Sequence, residues 1–217
     1  MDVKESKQQV LKKTEEYIRS VFEEEGSGHD WWHISRVRKL ALEIARREGG
    51  DLFIIEMAAL VHDLDDWKLN HSGNKKTLHL LKKLGVNQQT AEKILHVTEQ
   101  VSFKGAGVLN KTTTLEAQIV QDADRLDAIG AIGIARTFAY GGSKGRLIYD
   151  PSVEPLKHES FDSYKSNTAP TLNHFYEKLL LLKDRLNTPS ARKIGEERHR
   201  YMEDFLEQFF FEWNVKI

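Results

Sequence analysis

The sequence predicts an all-α protein built as one helical bundle. Apolar residues recur at three- and four-residue spacing through most of the 217 residues, and no alternating strand of useful length interrupts them. Words such as GSGHD (26–30) and LGVN (84–87) separate these periodic segments. Too little apolar material follows residue 140 to form a second core, so we expect a single domain over residues 1–217.

The apolar period places the helices in order along the chain. Asp51 is a candidate N-cap for the third helix, and the glycines at 130 and 133 interrupt the sixth. Segment 141–169 loses the period and holds Gly, Pro and Ser, so we predict a long ordered loop or lid there, followed by C-terminal helices within 170–213. The helices are predicted over residues 8–22, 34–47, 51 to about 67, 74–84, 88–101, 115–140, 172–186 and 190–213.

Composition excludes several classes of function. The formal net charge is -1, so no global field directs the chain to polymeric nucleic acid or to an anionic membrane. Cysteine is absent, which excludes disulfides, thiol catalysis and thiolate metal sites. No apolar run is long enough to span a bilayer, and the N-terminal MDVKESKQQV lacks the apolar region of a secretory signal. We therefore expect a cytoplasmic globular protein.

The segment MAALVHDLDD (57–66) ends an apolar run in one imidazole and three carboxylates. Burying such groups is costly unless they find partners. On a helix, His62 and Asp63 could flank one point and so form half of a divalent-metal site, with Asp66 one turn farther on. The alternative is a solvated C-terminal turn, although each acid there would oppose the helix dipole by about 0.3–1 kcal/mol.

Two other segments carry polar residues of the same kind. His33 falls at the start of a helix in GHDWWHISRV (28–37), and taken alone it is better interpreted as a packed and hydrogen-bonded histidine. Asp124, in IVQDADRLDAIGAIG (119–133), falls on the inward strip among small apolar residues. A carboxylate there would lose its charge unless a cation faced it. Asp124 is therefore a further candidate metal ligand.

The order H…HD…D, with the second aspartate inside ADRLD, resembles the HD-domain metal-dependent phosphohydrolase superfamily. The words GHDWWHISRV, AALVHDLDDWK and QDADRLDAIGAIGIARTF resemble its small stand-alone bacterial members over about residues 28–140. The resemblance implies the HD-type helical fold and four metal ligands. Two nitrogens and two carboxylate oxygens suit Mn²⁺, Mg²⁺, Fe²⁺, Co²⁺, Ni²⁺ or Zn²⁺. The implied ligands are His33, His62, Asp63 and Asp124.

The resemblance also implies an activity. Family members hydrolyse nucleotides or related phosphate esters and anhydrides, with metal-activated water attacking phosphorus. Nucleoside triphosphate pyrophosphohydrolysis or nucleotidase activity is favoured for a small stand-alone member. Asp66 matches the acidic position that orients or deprotonates the water, with Asp65 as the second candidate. A helix-end pairing of Asp66 with Lys68 or Lys39 remains open.

An anionic substrate requires positive and polar groups around the metal, although each candidate is also typical of an ordinary surface. We expect a small phosphorylated partner, a nucleotide above all. The aromatic run FLEQFFFEW (205–213) is compatible with a homodimer or with completion of the monomer's core. The candidate substrate contacts are His29, Arg36, His96, Lys104 and Arg125.

Two other functions remain as alternatives. A non-catalytic nucleotide-sensing HD domain would keep the pocket but lose ligands, and all four expected ligands are present. A diiron oxygenase on the same fold would need a second set of histidine ligands, for which His96 alone is available. Phosphohydrolysis is therefore the leading prediction.

Overall fold

The computed structural model describes residues 6–23, 30–65, 75–101, 112–156 and 168–215. Every regular element in these residues is helical, which confirms the all-α prediction. No helix among the described residues is long and apolar enough to cross a membrane. The α-helices are α1 (Lys7–Phe22), α2 (Trp31–Glu48), α3 (Leu52–Val61), α4 (Lys75–Lys83), α5 (Gln88–Thr98), α6 (Leu115–Asp127), α7 (Gly130–Ser143), α8 (Asn173–Glu177) and α9 (Pro189–Trp213), with 3₁₀ turns at Leu179–Leu181 and Lys183–Arg185.

The chain forms two compact units. The first unit comprises Met1–Phe103 and Asn110–Asp124, and the second comprises Lys104–Leu109 and Arg125–Ile217. The boundary between them falls inside α6, directly after Asp124. A single domain over residues 1–217 stays a prediction.

Helix α3 is the centre of the first unit. Asp51 caps its N-terminus as predicted, accepting hydrogen bonds from the backbone N–H groups of Phe53 and Ile54. The helix is apolar on nearly all sides and packs against α1, α2 and α5. The helix is therefore enclosed by its neighbours rather than turned to water on one face. Its buried residues are Phe53, Ile54, Ile55, Met57, Ala58, Ala59, Leu60 and Val61.

Arg38 links three helices of the first unit. From α2, its Nη1 donates to Glu15 of α1 at 2.8 Å and its Nε donates to Glu56 of α3 at 2.8 Å. Burial of the guanidinium opposes its charge, but hydrogen bonds and electrostatic attraction to Glu56 and Glu15 outweigh that cost, and the pKa of Arg38 lies above its usual value. These hydrogen bonds join α1, α2 and α3 to one another.

Several predicted helix boundaries differ from the structure. Helix α2 begins at Trp31 rather than at 34, because the Asp30 carboxylate accepts from the His33 N–H at 2.7 Å and caps the helix. Helix α3 ends at Val61 rather than near 67, and residues 62–65 form a turn in which the Leu64 N–H donates to the Val61 carbonyl. The candidate ligands His62 and Asp63 therefore lie just beyond the helix end.

The predicted helix over 115–140 is two helices. Gly130 has φ of +75°, which a glycine adopts readily and which ends the run of α6 before α7 begins. Gly133, the other glycine that marked the interruption, lies inside α7. The predicted helix over 172–186 is also divided, because the backbone of Lys178 leaves the helical region (φ -144°, ψ -58°) between α8 and the 3₁₀ turns.

The segment predicted as a loop or lid is described at 141–156 and at 168–169. Helix α7 continues to Ser143, and residues 144–156 contain no helix. The N–H groups of Thr171 and Leu172 bond the carbonyls of Leu147 and Ile148 at 2.8 and 2.9 Å, which fixes this part of the segment within the second unit. Residues 157–167 lie outside the described residues, and the lid stays a prediction.

The C-terminal aromatic run packs within the second unit. Tyr149 meets the rings of Phe209, Phe210 and Trp213 edge-on, with centroids 5.1–6.1 Å apart. Phe205 stacks on Phe175 at 5.7 Å. The run thus contributes to the core of this unit, as one of its two predicted roles requires, and the homodimer stays a prediction.

Two glycines of α7 make matched tests of this packing. A Cβ added at Gly133 would lie 2.2 Å from the backbone oxygen of Ala128, whereas a Cβ at Gly142 meets nothing within 4 Å. We expect Gly133→Ala to lower the free energy of unfolding by roughly 1–3 kcal/mol, because backbone must move. We expect Gly142→Ala to raise it by up to about 1 kcal/mol, because alanine is the better helix former.

Urea unfolding followed by circular dichroism measures both changes. A Gly133→Ala variant as stable as Gly142→Ala would contradict the close approach of α7 to the end of α6.

Candidate metal centre

His33 reaches the interior of the first unit from the first turn of α2. The Asp30 cap starts the helix three residues earlier, and the apolar strip of Ile34, Val37 and Ala41 then turns that face of α2 inward. His33 is completely buried. Its backbone N–H is the group that Asp30 caps, so the same interaction that begins the helix also places this imidazole.

His62 and Asp63 enter the same interior from the turn after α3. The His62 Nδ1 lies 2.8 Å from the carbonyl oxygen of Ala59. A carbonyl oxygen only accepts hydrogen bonds, so Nδ1 carries the proton and Nε2 of the neutral ring has its lone pair free. This is the usual arrangement of a metal-ligating histidine, whose second nitrogen is fixed by a backbone carbonyl.

Asp124 approaches from α6, which is tied to the end of α5. The buried Gln121, one turn before Asp124, donates from Nε2 to the Gln100 carbonyl at 2.6 Å. The Gln100 side chain accepts in turn from the Thr113 N–H at 2.7 Å, just before α6 begins. These bonds fix the rotation of α6 about its axis and so the direction of the Asp124 side chain.

The two imidazoles lie close to each other and to both carboxylates. His33 Nε2 lies 3.3 Å from His62 Nε2, 3.3 Å from Asp63 Oδ2 and 3.6 Å from Asp124 Oδ1. His62 Nε2 lies 3.5 Å from Asp63 Oδ1 and 3.9 Å from Asp124 Oδ1. Two donors each about 2.1 Å from one ion are about 3.0–3.4 Å apart at right or tetrahedral angles. The donor atoms are therefore close to the spacing that a shared divalent ion requires.

Burial and charge favour a cation at this point. His62 and Asp63 are 7% and 4% exposed, while the Asp124 side chain is 26% exposed. Two carboxylates in so little water need positive charge close by. Two neutral imidazole nitrogens and two carboxylates form a donor set that suits a divalent ion. Among the described residues, His33, His62 and Asp124 form a group whose donor atoms all lie within 4.8 Å of one another, and Asp63 contacts both imidazoles.

The two predicted catalytic acids differ in their surroundings. Both oxygens of Asp65 accept backbone hydrogen bonds from the start of α4, from the Lys76 N–H at 3.1 Å and the Thr77 N–H at 2.9 Å. Asp65 therefore stabilises the N-terminus of α4. Asp66, like the predicted substrate contacts His29 and Lys104, lies outside the described residues.

The other predicted substrate contacts lie in three places. Arg36 is half-buried on α2, one turn after His33. His96 is exposed on α5, and its Nε2 lies 2.7 Å from the Thr113 hydroxyl. Arg125 belongs to the second unit, where it is 5% exposed and its guanidinium donates to the Arg185 carbonyl.

Sequence reasoning missed three supports of the site. Asp30 stands three residues before His33, and this spacing is that of an N-cap and the amide it accepts from. The pattern was therefore available in the sequence. The Ala59 carbonyl on His62 and the Gln121 bond to Gln100 had no such signal, since each depends on where a chain end or a neighbouring helix lies.

Comparisons with known proteins agree with this geometry. The HD domain family model matches residues 31–129. Bacillus subtilis (strain 168) YpgQ is 41% identical over 196 residues, which cover 88% of each chain. The family match spans all four residues of the candidate centre.

Solved structures show the same fold. An HD-superfamily hydrolase from Bacillus thuringiensis is 47% identical, with a TM-score of 0.76 over 97% of this chain and 100% of its own. A Lactobacillus plantarum protein is 35% identical, with a TM-score of 0.88 over 96% and 98% of the two chains. YpgQ in complex with ADP is 38% identical, with a TM-score of 0.73 over 92% and 95%. The resemblance found in the sequence is confirmed, and the chain belongs to the HD-domain superfamily of hydrolases.

Proposed function

We propose that this protein is a metal-dependent phosphohydrolase that acts on nucleotides or related phosphate esters and anhydrides. The observation that supports this most directly is that two imidazole nitrogens lie 3.3 Å from each other, and that oxygens of two carboxylates lie 3.3–3.9 Å from them, in the interior of the first unit. Membership of a hydrolase superfamily supports the reaction class. We propose His33, His62, Asp63 and Asp124 as the ligands.

The four proposed ligands differ in their contacts and in their proposed roles. When bound, a divalent ion supplies Lewis-acid activation of the phosphoryl group and makes water more acidic. Asp63 contacts both imidazoles and so holds the interior of the site together. Asp124 is the most exposed of the four, so we propose that water and substrate approach the ion beside it. His62 keeps its Nε2 directed inward through the Ala59 bond.

Asp66 is the proposed water-orienting residue. Both oxygens of Asp65 are engaged at the start of α4, which supports a structural role for Asp65 and leaves the catalytic role to its neighbour. A carboxylate that orients or deprotonates the attacking water typically contributes 10²–10⁴-fold to the rate.

The proposed substrate is a nucleotide, and nucleoside triphosphate pyrophosphohydrolysis or nucleotidase activity is favoured. The relative YpgQ has been solved in complex with ADP, which supports a nucleotide ligand. Arg36 is half-buried and His96 is exposed, which supports contact with its anionic groups, and His29 and Lys104 stay candidate contacts. Arg125 is the weakest of the five predicted contacts, because its guanidinium is committed to the Arg185 carbonyl.

Metal binding is tested by thermal unfolding of protein stripped with EDTA and titrated with Mn²⁺. At a free Mn²⁺ concentration 100 times Kd, the ion stabilises the folded state by about 2.7 kcal/mol, so the unfolding temperature should rise with concentration. We expect Asp63→Asn to bind Mn²⁺ much more weakly and to lose this rise. A wild-type unfolding temperature that does not change with Mn²⁺ concentration would refute the metal site.

Catalysis is tested by phosphate and pyrophosphate release from a panel of nucleotides with Mn²⁺. We expect Asp66→Asn to lower kcat by roughly 10²–10⁴-fold, because the water loses its orienting group. The matched control is Asp65→Asn, which should lower the unfolding temperature more than Asp66→Asn does and kcat less, because it weakens the cap of α4. Nucleotide binding without product release in the wild type would favour the sensor over the enzyme.

A further inference from the structure

The end of α6 is held by groups that come from α7 and α9. This end lies within the second unit, and it follows Asp124 by three residues. Two of the last carbonyls of the helix accept hydrogen bonds from the N–H group three residues later. Arg125 accepts from Ala128 at 3.2 Å, and Leu126 accepts from Ile129 at 3.3 Å. Two guanidinium groups also donate to carbonyls at this end of the helix.

Arg136 of α7 makes the first of them. Its Nη1 donates to the Asp127 carbonyl at 3.3 Å and to the Asp127 carboxylate at 2.9 Å. Asp127 is 1% exposed, so its negative charge is neutralised by this pairing within the unit. Cations at a helix C-terminus also interact favourably with the helix dipole.

Arg198 of α9 makes the second contact. Its Nη1 donates to the Leu126 carbonyl. Its aliphatic stem lies against Gly130, where an added Cβ would come within 3.0 Å of both Cβ and Cγ of Arg198. The glycine, with its φ of +75°, is what lets the arginine reach this carbonyl. Arg198 thus fixes backbone two residues after Asp124, although it stands 74 positions later in the sequence (198 − 124 = 74).

We propose that Arg198 is a positioning residue for the metal centre: its bond to Leu126 stops the last turn of α6 from fraying and so fixes the Asp124 carboxylate for the ion. The inference rests on the proposed metal site. Asp124 depends on its backbone more than the other three ligands do, because its side chain is 26% exposed and is enclosed by fewer neighbours. A helix end without capping partners frays first, and Asp124 lies within that final turn.

The test compares three variants of the full chain. Arg198→Ala removes the bond, and Arg198→Lys keeps a single charged donor. Arg192→Ala is the control, because Arg192 is also on α9 and its Nε also donates to a backbone carbonyl, that of Leu186 at 3.0 Å, outside α6. Far-UV circular dichroism and unfolding in EDTA establish that each variant folds, and calorimetry measures its Kd for Mn²⁺.

We expect Arg198→Ala to weaken Mn²⁺ binding roughly tenfold, as loss of an outer support of a metal site typically does. Arg198→Lys should bind Mn²⁺ more weakly than the wild type but better than Arg198→Ala, and Arg192→Ala should bind within about twofold of the wild type. A folded Arg198→Ala whose unfolding temperature falls while its Kd for Mn²⁺ stays that of the wild type would overturn the inference, because the arginine would then only stabilise the fold.

Should Arg198→Ala fail to fold, Arg198→Lys decides: a weakened Kd supports the inference, and a wild-type Kd overturns it. If neither variant folds, Arg198 serves folding and the inference is wrong. Wild-type protein that does not bind Mn²⁺, or Asp124→Asn that binds it as tightly as the wild type does, would instead remove the proposed site itself. The two failures are therefore distinguishable.

Discussion

Two carboxylates and two imidazoles meet in the interior of the first unit, and their charge is the constraint around which that unit is organised. Removing such groups from water costs several kcal/mol per ion unless opposite charge or strong hydrogen bonds compensate. Around them α2, α3 and α6 present small and branched apolar residues, which leave Asp63 almost without contact with water, while the Asp124 side chain stays 26% exposed. A divalent ion is the partner that would reconcile this burial with the charge.

The backbone accounts for much of the precision of the site. Asp30 begins α2 and places His33, the Ala59 carbonyl sets the tautomer of His62, and Asp65 fixes the turn to the start of α4. Each of these interactions is local to a helix end, where backbone groups lack partners within the helix. The candidate ligands His33, His62 and Asp63 therefore lie beside helix ends, and the interactions that fix those ends also position these side chains.

The second unit is organised around its own interactions. Its core contains the rings of Phe138, Phe175 and Phe205, and guanidinium groups of α7 and α9 bind the end of α6. Because α6 is one helix that begins in the first unit, these contacts act on the same element that carries Asp124. The proposed role of Arg198 toward the candidate centre rests on these contacts, and the C-terminal sequence by itself does not suggest it.

The sequence by itself determined the helical class, the order of the helices and the four candidate ligands, because apolar periodicity and the spacing of His and Asp depend only on neighbours along the chain. It also located the break at Gly130, but it extended α3 past Val61 and joined residues 172–186 into one helix. Those boundaries depend on hydrogen bonds and backbone angles that depart from the regular helix, and apolar periodicity carries no information about them. Only the tertiary structure decided that the four candidate ligands lie close together. It also decided that Asp65 bonds the start of α4 and that Arg198 bonds the Leu126 carbonyl. Each of these contacts depends on the approach of segments that are separated in the sequence.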